Sequence, residues 1–135
     1  MWPRVDGLRA LELGSPGAMR QRLNALVLSG AKRATAGVVD EYLEDGEALE
    51  YVGERLALLD DAGARVATVE VTGVTQVRFA DVPWEFALAE GEGHASIEEW
   101  REGHLRYWRA EGRDITDDTE IVCLRLRLVA SSSPT

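Results

Sequence analysis

Residues 64–79, ARVATVEVTGVTQVRF, form an almost continuous β-rich run, with Val66, Val69, Val71, Val74 and Val77 as its dominant residues. Branched side chains of this kind suit a pleated, partly buried surface. Gly73 predicts a bulge or bend that splits the run. Residues 55–59, RLALL, read as a strand, and Asp60-Asp61-Ala62-Gly63 supplies a turn signal, so the two runs predict a hairpin with a longer loop. Residues 119–129, TEIVCLRLRLV, alternate Leu124, Leu126 and Leu128 with Arg125 and Arg127, which predicts a half-buried strand with one solvated face. LRALEL at 8–13 reads as a short strand or extended arm, and a further strand is expected over 35–38.

Helical signals lie between these strands. Ser15-Pro16-Gly17 is a start signal, and Met19, Leu23, Leu26 and Val27 recur at helical spacing, predicting a helix over 16–29 closed by Gly30. Residues 40–47, DEYLEDGE, are ambiguous between helix and loop. Asp81 caps a short helical stretch that reaches Glu90, and Ser96 caps a longer helix to about Ala110, with Glu98 and Glu99 favouring its positive end. About five or six strands and about three helices predict an α+β fold: a small β-barrel or strongly curled sheet flanked by helices. With 135 residues, one domain over 1–130 is expected, with 131–135 as a disordered tail.

Composition narrows the function classes. One cysteine, Cys123, excludes an internal disulfide framework and a Cys-based zinc cage, and it reads as a small buried hydrophobe. Two histidines, His94 and His104, are too few for a multi-histidine metal site; no metal and no cofactor is expected. No apolar run approaches the roughly 20 residues that span a bilayer, and the N-terminus lacks the apolar stretch of a signal peptide, so a cytoplasmic protein is expected. The formal net charge of −9 argues against a protein that coats DNA. The charge is uneven: residues 1–35 carry six bases and two acids, whereas residues 36–70 carry ten acids and two bases.

Three constellations could carry chemistry. Gly30-Ala31-Lys32-Arg33-Ala34-Thr35 joins a helix to a strand; it is an anion or substrate clamp or, more commonly for such a motif, a helix C-cap with basic complements to the dipole. Glu85, Glu90, Glu92 and His94 crowd the run WEFALAEGEGHAS, where a glutamate at a helix end can serve as acid or base, or where the loop is simply acidic and solvated. In the last helix, Trp100, His104, Tyr107 and Trp108 share one face. Aromatics interleaved with arginines suit single-stranded bases, but a stripe at helical spacing more often packs as core. Trp100 and Tyr107 are read as core, and His104 and Arg101 as the functional candidates. Phe79, Trp84 and Phe86 are read as packing.

GAKRAT after an amphipathic helix, the FADV…FALAEGEG run, and SIEEWREGHLRYW, in that order from about Leu11 to Val129, resemble the ASCH (ASC-1 homology) domain family. The resemblance implies a PUA-like β-barrel and, by analogy, binding of RNA, single-stranded DNA or a nucleotide. Small bacterial relatives include an amidohydrolase that removes the acetyl group of N4-acetylcytidine with a Lys, a Thr and a Glu; another is described as a ribonuclease. The pattern falls here on Lys32, Thr35 and either Glu90 or Glu92. It implies Lys32 accepting the proton of Thr35, Thr35 attacking the amide, and the glutamate protonating the leaving amine. The leading expectation is therefore a nucleic-acid- or nucleotide-binding cleft built from Lys32, Thr35, Glu90 or Glu92, Gly30, Arg33, Arg101 and His104. The alternative is a hydrolase in that cleft. A third reading makes the acidic 40–54 segment a docking surface for a basic partner. Neither a membrane nor extended duplex DNA is an expected partner.

Overall fold

The computed structural model describes residues 1–131. Six strands form one mixed sheet: β1 (Arg4–Val5), β2 (Leu8–Leu11), β3 (Ala34–Val38), β4 (Arg55–Leu59), β5 (Arg65–Arg78) and β6 (Glu120–Ser131), in the spatial order β1-β2-β4-β5-β6-β3. Among the described residues four helices accompany it: α1 (Ala18–Leu28), α2 (Val39–Glu44), α3 (Trp84–Glu90) and α4 (Ile97–Ala110), with a 3₁₀ turn at Phe79–Asp81. The strand count and the α+β class match the expectation. The sheet is a linear ladder, and among the described residues no ladder joins β2 to β3.

The long valine-rich run became the spine. β5 pairs antiparallel with β4 on one side and β6 on the other, and its register slips between Thr68 and Val69 and between Val71 and Gly73. Such bulges add twist and bend the strand. The DDAG turn closes through Asp60, whose Oδ1 accepts the amides of Ala62 and Ala64, each at 2.9 Å. β6 corrects the half-buried expectation over its first half. Val122, Leu124 and Leu126 enter a core with Leu56, Leu58, Val69 and Leu23, while Ile121 and Cys123 enter a second core with Phe79, Phe86, Trp100 and Trp108. From Arg127 onward residues of both faces reach solvent, including Leu128, which was expected on the buried face. Cys123 is buried, which pushes its thiol up to about 12 and leaves it inert.

Other boundaries shifted for local reasons. Gly17, not Ser15, precedes α1, and no side chain caps that helix. The ambiguous acidic stretch forms α2. Ser96 caps α4 as expected, accepting the Glu99 amide at 3.1 Å. Ala130 and Ser131 pair with Thr68 and Ala67 as the end of β6, because β5 extends far enough to offer them partners. The rest of the expected tail lies outside the described residues.

The acidic segment folds back on the basic N-terminus. Arg4 pairs with Glu47, Arg9 with Glu54, and Arg113 with Glu41 and Glu44. Buried Glu50 accepts the Tyr42 hydroxyl at 2.8 Å. Many of the acids that suggested a docking surface are thus spent internally.

The loop after α3 is pinned to the loop after α1. Gly91 has φ 66°, and a Cβ there would stand 2.0 Å from the Ala31 carbonyl oxygen. The Arg33 amide donates to Ala89 O at 2.8 Å across the same junction. Gly30 also has positive φ, 84°, but open space around it. Gly91→Ala should therefore cost at least about 3 kcal/mol, combining left-handed strain with a backbone clash, and Gly30→Ala only about 1 kcal/mol. Chemical denaturation of both variants checks this; equal losses would mean that the loop contact contributes nothing.

Candidate functional site

Lys32 leaves the α1–β3 junction pointing inward and is only 3% exposed. A buried ammonium demands partners. It finds three: Ala34 O at 2.8 Å, Glu90 Oε2 at 3.2 Å and Glu92 Oε2 at 2.7 Å. All three N–H donors are thereby spent. The basic motif at 30–35 is therefore more than a helix cap, although the Gly30 amide does close the helix onto Val27 O.

Glu90 ends α3 and is 1% exposed. Its Oε1 accepts the Trp100 indole N–H and lies 3.3 Å from His104 Nε2. Burial by itself raises a carboxyl pKa, but the Lys32 charge and the hydrogen bonds from His104 and Trp100 overturn it, carrying Glu90 well below the carboxylate range. His104 Nδ1 lies 2.9 Å from Trp100 O, so both ring nitrogens face acceptors. That arrangement suits the imidazolium, which has two donors. Burial opposes the charge, yet the Glu90 contact outweighs it and His104 is raised above its ordinary value. The ring also stacks on Trp100, with centroids 4.0 Å apart.

Lys32, Thr35, Glu90, Glu92, His94 and His104 line one cavity of about 190 Å³. A larger cavity, about 350 Å³, opens between the end of β2 at Ala10–Leu13 and the edge of β3 at Thr35–Gly37. The two share Leu13, Gly14, Thr35, Ala36, Tyr107 and Trp108, so they form one cleft in the gap left by the curled sheet. This volume lies in the range of small-molecule sites. Thr35 sits at the shared wall, on the strand that begins immediately after Arg33.

The structure thus brings Lys32, Thr35, Glu90, Glu92 and His104 together. It does not bring the other three candidates to the cleft wall. Gly30 is exposed at the helix end. Arg33 is exposed and contributes its backbone, accepting the Leu126 amide at 2.9 Å. Arg101 donates to Ala80 O at 2.9 Å and braces the 3₁₀ turn. Trp100 is core as expected, and Tyr107 packs half-buried against the same core while also lining both cavities. The signal was its place on the His104 face, with a polar tip that a core has no use for. His94 lines the smaller cavity as well.

Glu90, Glu92 and His104 also hold ligand atoms within 4.8 Å of one another, the spacing of a cation site. Here the Lys32 ammonium already bonds both carboxylates. The cation that this donor set needs is supplied by the chain.

A family model described as ASCH domain matches residues 10–130. Among solved structures, a protein from Enterococcus faecalis V583 is 29% identical, with a TM-score of 0.80 over 89% of this chain and 75% of that one. An ASCH domain from Lactobacillus crispatus JV V101 is 25% identical, with a TM-score of 0.78 over 90% of this chain and 79% of that one. A protein from Zymomonas mobilis, termed ZmASCH, shares the fold alone, at 12% identity and a TM-score of 0.51 over 79% of this chain and 63% of that one. None of the curated proteins compared matches.

His104 should titrate above its ordinary value of about 6.5 in NMR spectra, and Glu90→Gln should bring it down. Because the folded pKa is the raised one, the stability it confers is complete below about 6.5 and is lost as pH rises through the folded value. A wild-type midpoint at or below about 6.5 would mean that the Glu90 contact does not hold an imidazolium. Glu90 acts oppositely: its contribution holds above about 4.5 and disappears as pH falls toward about 2.

Proposed function

This chain belongs to the ASCH domain family, and on that footing we propose that it is an amidohydrolase acting on a small acylated nucleoside, with the whole of 1–130 as one PUA-like domain. The observation that carries the reading is the placement of Thr35 on the wall of a cleft whose floor is a buried lysine held by two glutamates. This matches the Lys, Thr and Glu that the family resemblance implies. Both Glu90 and Glu92 meet Lys32, so the glutamate function is shared between a fully buried residue and a partly exposed one.

The geometry revises the roles. Lys32 spends its donors on Ala34, Glu90 and Glu92, so it anchors the carboxylates and places positive charge beneath the cleft. Thr35 Oγ1 attacks the amide carbonyl carbon. Its proton passes to the Lys32–Glu90–Glu92 group and returns to the departing amine as the carbon–nitrogen bond breaks. Water then hydrolyses the acyl-threonine ester, releasing the carboxylic acid and restoring the hydroxyl. Partly exposed Glu92 is the member of the group placed to exchange a proton at the cavity.

The charge of the cleft supports a nucleoside over RNA or single-stranded DNA. Its cations, Lys32, Arg20 and His104, are each committed to carboxylates or carbonyls of the chain. Glu12, Glu41, Glu50 and Glu111 line the larger cavity. A phosphodiester entering there would meet more negative than free positive charge, whereas polyanion binding relies on uncommitted bases.

Wild type and Thr35→Ala should be incubated with N4-acetylcytidine and the products separated. Wild type should release cytidine and acetate, and Thr35→Ala should lose at least about 100-fold in turnover. Lys32→Met should be inactive too, but removing one partner of a buried pair costs about 3–5 kcal/mol, so its folding must be verified. Full activity in Thr35→Ala would exclude it as nucleophile. Absence of turnover, with single-stranded RNA binding that weakens linearly in log salt, would favour the nucleic-acid reading.

A further inference from the structure

The cleft contains a hydrogen-bonding group that the reaction above does not use: the backbone of Ala36. Among the described residues, β3 is an edge strand with β6 as its one partner. The Leu126 amide donates to Arg33 O, and Ala34 registers with Arg125 and Ala36 with Cys123. In an antiparallel pair, residues alternate between exchanging both bonds with their partner and exchanging neither. The bond to Arg33 fixes the phase: Thr35 and Gly37 bond to β6, while Ala34 and Ala36 turn their N–H and C=O away from it. Ala34 confirms this, because its carbonyl accepts from Lys32 Nζ. Among the described hydrogen bonds, none uses the N–H or C=O of Ala36. Ala36 lines both cavities.

We propose that the Ala36 N–H and C=O together read the edge of a planar heterocycle carrying an acceptor and an N–H donor side by side, as an aminopyrimidine does. The inference deepens the hydrolase reading by naming how the nucleobase is held, and takes its probes from it. Ala36 N–H donates to the ring nitrogen, and Ala36 C=O accepts from the exocyclic N–H. Thr35, the preceding residue, then stands beside the acyl group. Tyr107, Trp108, Leu13 and Gly14 line both cavities together with Ala36, and aromatic residues beside it suit a flat ligand. An extended peptide is a poorer fit, since the cavities touch only Thr35, Ala36 and Gly37 of β3. A paired strand ordinarily runs to about five residues.

The test titrates the ¹⁵N-labelled full chain with cytidine, the deacylated nucleoside, which cannot be consumed. The Ala36 amide resonance should shift and its exchange with solvent should slow at least about tenfold. N4,N4-dimethylcytidine, which lacks the exocyclic N–H, should bind up to about tenfold more weakly, the scale of one hydrogen bond. Ala36→Pro removes the amide without removing a sheet bond, which edge strands tolerate, and should abolish binding, whereas Ala36→Gly should retain it. Should the proline variant fail to fold, the amide measurements on wild type decide. Cytidine binding that leaves the Ala36 amide unperturbed, wild-type affinity in Ala36→Pro, or no cytidine binding at all overturns the proposal. Binding with the predicted Ala36 signature but no cleavage of N4-acetylcytidine would uphold it and remove the hydrolase reading alone.

Discussion

A buried ammonium with three satisfied donors organises this molecule. Lys32 cannot be left in the interior without carboxylates, and Glu90 cannot be left there without cations. Meeting that requirement forces the α1–β3 junction and the α3–α4 loop into contact, although they lie about 60 residues apart in sequence. Gly91 permits the approach, because only a residue without Cβ fits against Ala31. Trp100 and His104 then cover Glu90 from α4, so the same ion group also fixes where the aromatic helix docks. Remove the pairing, and the smaller cavity loses the contacts that hold Lys32, Glu90 and Glu92 in its lining.

The sheet supplies the complementary constraint. Bulges in β5 curl it, but β2 and β3 are not brought into a ladder with each other. The gap between them is the cleft. This explains why catalytic candidates and an idle stretch of strand backbone lie side by side: both are consequences of a sheet in which β3 is left unpaired with β2. β6 separates two cores by carrying apolar residues on both faces over Ile121–Leu124. It thereby ties the helical layer that holds Glu90 to the hairpin layer that supports β2.

Charge is arranged with the same economy. The strongly acidic middle of the chain lies against N-terminal and C-terminal arginines, and two of its glutamates, Glu41 and Glu50, also line the larger cavity. The net charge of −9 is thus not confined to the outer surface, because Glu12 and Glu111 line that cavity as well.

The sequence by itself determined the strands, the two principal helices and the motif order, because these rest on local periodicity, turn chemistry and caps. Valines at 66–77, the DDAG turn and Ser96 can be read without knowing what they touch. It also singled out Lys32, Thr35, Glu90, Glu92 and His104 by residue type and by resemblance. Tertiary structure decided the rest. Whether Glu90 or Glu92 meets Lys32 depends on a contact across two loops, and the answer is both. Arg33 and Arg101 look as chemically apt as Lys32 in sequence, yet one faces solvent and the other braces a turn, since helix and strand phase set their directions. Tyr107 belongs to a cavity that exists only because the sheet curls without pairing its edges. The free backbone of Ala36 has no sequence signature at all: backbone groups are identical at every residue, and only strand pairing decides which of them are left to bind something else.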